Sequence, residues 1–247
     1  MYCDDSDLAY AGQRHVFAAG QGLALGADYR LAHLPLVAPN HPACISAIPG
    51  RDYKDGRYAK RRAAFVAKIA RDPSFDALEA EMRAAPFGAK IAWDMGERRQ
   101  DVLHATLAGP IDAAAAERCV QPAADFLARH GEVRVALGGP FVGNRNHGRI
   151  YLPVYPPKID GADAFQAMLA AAGLPCSGFY GVGLWHLRDA LEAAEAAALS
   201  DFLDAQWGRK LAEGVCVRLA ILTVDNDLAL PPVEWRWIDA DSSHARA

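Results

Sequence analysis

Two stretches of this chain follow the same order, and that recurrence constrains the fold more than any other feature. In each, a strand-like run carries a histidine near its end, an alanine-rich helical stretch follows, and two further strand-like runs complete the unit. The first unit is Asp101-Val-Leu-His104-Ala-Thr106-Leu, the helical pattern from Ile111 to His130, then Val133–Leu137 and Arg149–Tyr155. The second is Val182-Gly-Leu-Trp185-His186-Leu-Arg188, the helical pattern from Asp189 to Leu211, then Val215–Val224 and Val233–Ile238. Strand pairs alternating with helices specify an α+β chain. The repetition predicts a bilobal fold of duplicated antiparallel sheets, with flanking helices, around a central cleft.

The rest of the chain is read from the same periodicities. Residues 1–50 are rich in Gly and Pro and predict irregular extended pieces or short strands. Apolar residues at helical spacing predict amphipathic helices over 57–71 (Tyr58, Phe65, Val66, Ile69) and 74–84 (Phe75, Leu78, Met82), with Asp72-Pro73 as the break and Ser74 as a cap. Lys90–Trp93 reads as a strand paired with the one that holds His104. Pro122 predicts a kink in the helix over 111–130, which Gly131 closes. A further helix is expected over 162–172. The domain reading is an N-terminal extension over 1–87, with a basic helical segment packed on the core, the two-lobed α+β domain over 88–238, and a polar tail over 239–247.

Hydrophobic residues make up 52% of the 247 and charged residues 23%, enough apolar material for a substantial core. The net charge of −4 is not that of a protein that coats nucleic acid. It is a composite, because residues 51–71 hold eight basic side chains against only Asp52 and Asp55. That segment is either the solvated face of a helix or an RNA-facing patch interleaved with Tyr53 and Tyr58. No apolar run approaches the roughly 18 residues of a membrane-spanning helix, and the acidic start Met1-Tyr-Cys-Asp-Asp-Ser-Asp is unlike a secretory signal. The expectation is a cytoplasmic protein with no membrane role and no obligate protein partner. Five scattered cysteines without C-x-x-C spacing, and eight histidines without H-x-x-x-H spacing, predict neither a disulfide framework nor a metal site. No phosphate-binding glycine loop is present in the right context, so no cofactor is expected.

Alternation in a strand places His104 and Thr106 on one face, away from Leu103, Ala105 and Leu107. If the second unit is a pseudo-twofold mate, His186 and Arg188 line the opposite wall, with Trp185 beside them to wall the site or stack on a base and Tyr180 earlier in the same run. Paired imidazoles suit phosphodiester chemistry: one accepts a proton from water or a ribose hydroxyl, and the other donates to the leaving oxygen. Hydroxyl and guanidinium groups hold the non-bridging oxygens. Arg145, in the donor-rich loop Asn144–Arg149, is a further substrate-binding candidate, although a polar hairpin turn accounts for the same residues.

The segment His104-Ala-Thr106-Leu before a helix, with His186 82 positions later before another helix, resembles the 2H phosphoesterases, which include RNA 2′,5′-ligase-like and cyclic nucleotide phosphodiesterase enzymes. The resemblance covers about residues 88–238. It implies a bilobal duplicated α+β fold, His104 and His186 as the acid/base pair, Thr106 as a phosphate ligand, and hydrolysis of a small cyclic phosphate or an RNA terminus without a metal. The second motif reads His186-Leu-Arg188 where that family has a hydroxyl. Two other readings stay open: a catalytically silent relative that binds a phosphate-bearing ligand or a partner protein, and an unrelated α+β domain whose two histidines never meet.

Overall fold

The computed structural model describes residues 1–241; the last six residues of the expected polar tail lie outside them. In chain order the elements are α1 (Tyr10–Gln13), α2 (Ala27–Ala32), α3 (Leu34–Val37), β1 (Arg62–Ile69), α4 (Ser74–Ala84), α5 (Asp94–Arg99), β2 (His104–Ile111), α6 (Ala113–His130) and β3 (Val133–Gly138). There follow β4 (Phe141–Val142), β5 (Arg149–Tyr155), β6 (Lys158–Ile159), β7 (Ala162–Asp163), α7 (Ala164–Ala171), β8 (Gly181–His186), α8 (Ala193–Gln206), β9 (Lys210–Val224) and β10 (Val233–Trp237). The fold is mixed α and β. Every strand pairing among the described residues is antiparallel.

One eight-stranded sheet organises the molecule. Its longest strand, β9, serves two sets of neighbours. Residues 217–224 pair with β1, which pairs in turn with β2, while β10 takes the other edge at residues 220–224. Residues 210–217 pair instead with β3, which leads to β5 and its partners β4 and β8. β2 and β8, from opposite ends of this order, pack against each other. The sheet therefore curls, and the space between its two ends is where the site forms.

The stretch 57–71 is a strand over 62–69, not a helix. An apolar run this short fits both periods, and the neighbours decide: β2 and β9 take up backbone groups on both edges of β1. Alternation then sends Phe65, Ala67 and Ile69 into the main core and Val66 into a smaller cluster with Ala220 and Leu222 on the other face. Fully burying a side chain such as Phe65 contributes ~1.5–3 kcal/mol. The segment 1–87 is thus not an extension beside the sheet; it supplies a strand between β2 and β9.

The basic residues of 51–71 are largely paired. Arg57 meets Asp225, Arg62 meets Asp52, Arg51 meets Asp28, Arg61 meets Glu234, and Arg71 meets both Asp76 and Glu79.

Other expectations divide similarly. Residues 90–93 form no strand: a 3-10 turn covers Gly88–Lys90, and Ile91 makes one isolated bridge, to Leu187. A Cβ on Gly88 would stand 2.5 Å from the Met82 carbonyl oxygen, so this segment is pressed against the end of α4. Residues 1–50 hold three short helices, and single bridges tie Tyr2, Arg14 and Leu23 to Pro157, Gly143 and Leu191. α6 runs through Pro122 without a break, held by Ala115, Ala116, Cys119, Ala123, Ala124 and Phe126 on its buried face. Asp112 caps it by accepting from the Ala115 amide at 2.7 Å, and Gly131 closes it at φ 73°. No described helix is long and apolar enough to cross a membrane.

Candidate functional site

A cleft of about 710 Å³ opens between β2 and the β5–β8 end of the sheet. His104 and Thr106 stand on its wall together, because Ala105 and Leu107 take the buried face of β2. Arg149, Tyr151 and Asp227 also line it. A second cavity of about 320 Å³, lined by Tyr53, Tyr58 and Arg62, shares His104, Thr106 and Asp227 with the first. The His104–Thr106 pair is therefore a ridge between two compartments.

The state of His104 follows from its surroundings. Its Nδ1 lies 2.7 Å from the carbonyl oxygen of Val102, an acceptor only, so Nδ1 carries the hydrogen and Nε2 holds a free lone pair. Burial, with Arg99 and Arg149 nearby, pushes its pKa down to about 4 against the opposing effect of the Val102 bond. At neutral pH the ring is a neutral base. Its edge meets Trp235, with 6.4 Å between centroids.

Arg149 opens β5, and alternation puts it on the face of Tyr151, over whose ring its guanidinium lies at 5.1 Å. The side chain runs across Gly183 of β8, where a Cβ would come within 1.6 Å of Nε. Gly183 thus provides the slot that admits the arginine. Among the described residues the guanidinium has neither an ion pair nor a hydrogen bond, which leaves a forked donor for an anion.

Asp227 accepts hydrogen bonds from Tyr53 at 2.7 Å and from Tyr58. Burial alone would raise its pKa; His33, the two tyrosines and Arg149 outweigh burial and lower it, so the carboxylate is ionised.

Of the residues expected at the site, the cleft brings together His104 and Thr106. His186 ends β8 with 0% exposure, and neither ring nitrogen has a partner among the described residues. It shares with His104 the fields of Arg99 and Arg149 but does not line the cleft. Trp185 is buried, its Nε1 donating to Glu79 at 2.9 Å. Tyr180 is buried and donates to Asp163 at 2.7 Å. Arg188 is half-exposed and lies 3.8 Å from Asp94, and Arg145 is exposed on its loop.

Sequence reasoning did not single out Asp227; it named Arg149 only as the end of a donor-rich loop and Tyr58 only within the basic segment. The signal for Arg149 was its alternation with Tyr151 at the start of an apolar strand. For Asp227 and Tyr58 there was none, since they meet across 169 positions. Compared with family models, curated proteins and solved structures, the chain has no match.

Proposed function

We propose that this protein is a phosphoesterase of the 2H type, acting at the His104–Thr106 ridge on a cyclic phosphate or phosphodiester of a nucleotide or RNA end. The observation that carries this reading is a neutral histidine with a free Nε2 beside an unpaired guanidinium in one cleft. Arg149 and the Thr106 hydroxyl hold the non-bridging oxygens and offset the charge that develops on them. His104 Nε2 takes a proton from water as the water oxygen bonds to phosphorus. The bond from phosphorus to the ring oxygen breaks, and that oxygen takes a proton from solvent in the open cleft. This places proton abstraction on one histidine, since His186 lies in the interior.

A second reading, a silent phosphate binder, is favoured by the register around β1. Lys68 is the partner of both His104 and Arg218, and Val66 of both Thr106 and Ala220. Arg218-Leu-Ala220 therefore stands across β1 from His104-Ala-Thr106, and the described residues that line the cleft include no second histidine as a proton carrier. A guanidinium cannot serve as one. Hydrolysis of a 2′,3′-cyclic nucleotide by the wild type, lost in His104→Ala, supports the enzyme. Saturable binding without turnover, weakened in Arg149→Ala, supports the binder. Turnover retained by His104→Ala contradicts the proposed mechanism.

A further inference from the structure

Behind Arg149 lies a group of polar side chains that the proposed reaction does not use. His33 follows α2, Arg99 ends α5 and His186 ends β8; they are 3%, 1% and 0% exposed. His186 is the cross-strand partner of Arg149. Its ring faces that of His33 with 6.4 Å between centroids, and His33 stacks on Tyr29 at 5.2 Å. Arg99 donates through Nε to the Leu228 carbonyl at 2.7 Å and through Nη1 to the Gly183 carbonyl. Six buried atoms of the group have no hydrogen-bond partner among the described residues: both ring nitrogens of His33, both of His186, Arg99 Nη2 and Arg149 Nε.

A neutral imidazole carries one N–H, so each of these four residues presents at least one buried donor without an acceptor. Native interiors rarely tolerate even one, because the lost hydration is not replaced. The charges point the same way. Arg99 and Arg149 face the rings from α5 and β5, and the opposing acid is Asp227 from the β9–β10 loop. Its carboxylate already takes two tyrosine hydroxyls. Two guanidiniums against one carboxylate leave a buried net positive charge, which repels a metal ion and suits an anion.

We propose that His33, Arg99, Arg149 and His186 form a second, buried anion subsite beneath the cleft, and that it takes a phosphate group. The phosphate is either free inorganic phosphate or the terminal monoester of a ligand held in the cleft, with Arg149 shared between the two subsites. This goes beyond the hydrolysis proposed above and does not require it.

The test is a titration of the full chain, labelled with nitrogen-15 at histidine, first with inorganic phosphate and separately with a nucleoside 5′-monophosphate. Saturable shifts of the His33 and His186 ring signals are expected. Their appearance with inorganic phosphate alone identifies the free anion; their appearance only with the ester identifies a ligand's terminal group. Arg99→Lys keeps the charge but loses the planar fork, and weakens this binding about tenfold or more. His104→Ala leaves the shifts in place whether or not it abolishes turnover, so the two proposals fail separately. Rings of His33 and His186 that stay unmoved in the wild type, or movement of His104 alone, overturn the subsite. The wild-type titration decides even if Arg99→Lys does not fold.

Discussion

His104 and His186 each lie at one end of a strand, within the fields of the same two arginines, yet they live in opposite surroundings. His104 is half-buried on the cleft wall, with Nδ1 held by the Val102 carbonyl and Nε2 open. His186 is fully enclosed with neither nitrogen engaged. Residue type and sequence context made them look like mates; exposure and hydrogen bonding separate them. A histidine works as a base only where one nitrogen is anchored and the other can reach a proton. A histidine enclosed with arginines is instead a stored electrostatic cost that an anion or acid can change.

The largest effect that sharpens this contrast is on rate. His104→Ala should lower turnover of a 2′,3′-cyclic nucleotide by about 10²–10⁴, the usual contribution of a general base. Its thermal midpoint should stay close to the wild type. Comparable loss of rate and of fold would erase the distinction between the two histidines.

Acid stability probes the enclosed side. Burial holds the His33 pKa down to about 3, far below the ordinary 6.5 of the unfolded chain. The unfolded state therefore binds more protons between these values, and stability is complete above pH 6.5 and falls as pH drops below it. From pH 6.5 to 5 this amounts to about 2 kcal/mol for His33. Urea midpoints measured at both values should show the loss, and a flatter dependence is expected for His33→Gln. An unchanged midpoint at pH 5 would show that the ring is not enclosed.

A smaller effect returns to the cleft. Thr106→Ala should weaken binding of a cyclic phosphate about tenfold, equivalent to ~1.4 kcal/mol, and leave stability alone. Isothermal titration measures the first and thermal unfolding the second. Smallest is Tyr29→Phe, which removes the 2.6 Å bond from a buried hydroxyl to the Leu187 carbonyl just beyond His186. It should cost ~1 kcal/mol in chemical denaturation and leave cleft binding unaltered.

Local rules made much of the first unit legible. Alternation in Leu103–Leu107 placed His104 and Thr106 on one face, Gly131 marked the end of α6, and the apolar runs at 149–155, 181–186 and 233–237 are strands. The reading of 57–71 as a helix failed because Phe65, Val66 and Ile69 satisfy both periods, and only the flanking strands β2 and β9 resolve them. His186 was misplaced beside the cleft by its likeness to His104, although it ends a continuous apolar run, Val182-Gly-Leu-Trp185, of the kind that marks a strand buried on both faces. Asp227 and the two tyrosines that donate to it come from segments about 170 positions apart, a pairing that no local pattern encodes.

The most direct measurement is a crystal structure with a 2′,3′-cyclic nucleotide phosphorothioate. The phosphoryl group should sit on the His104–Thr106 ridge, with a non-bridging atom bonded to the Arg149 guanidinium and His104 Nε2 within about 3.5 Å of the attacking position, directly or through one water. A ligand bound elsewhere, with Arg149 and His104 unengaged, would contradict the assignment of this cleft to phosphate chemistry.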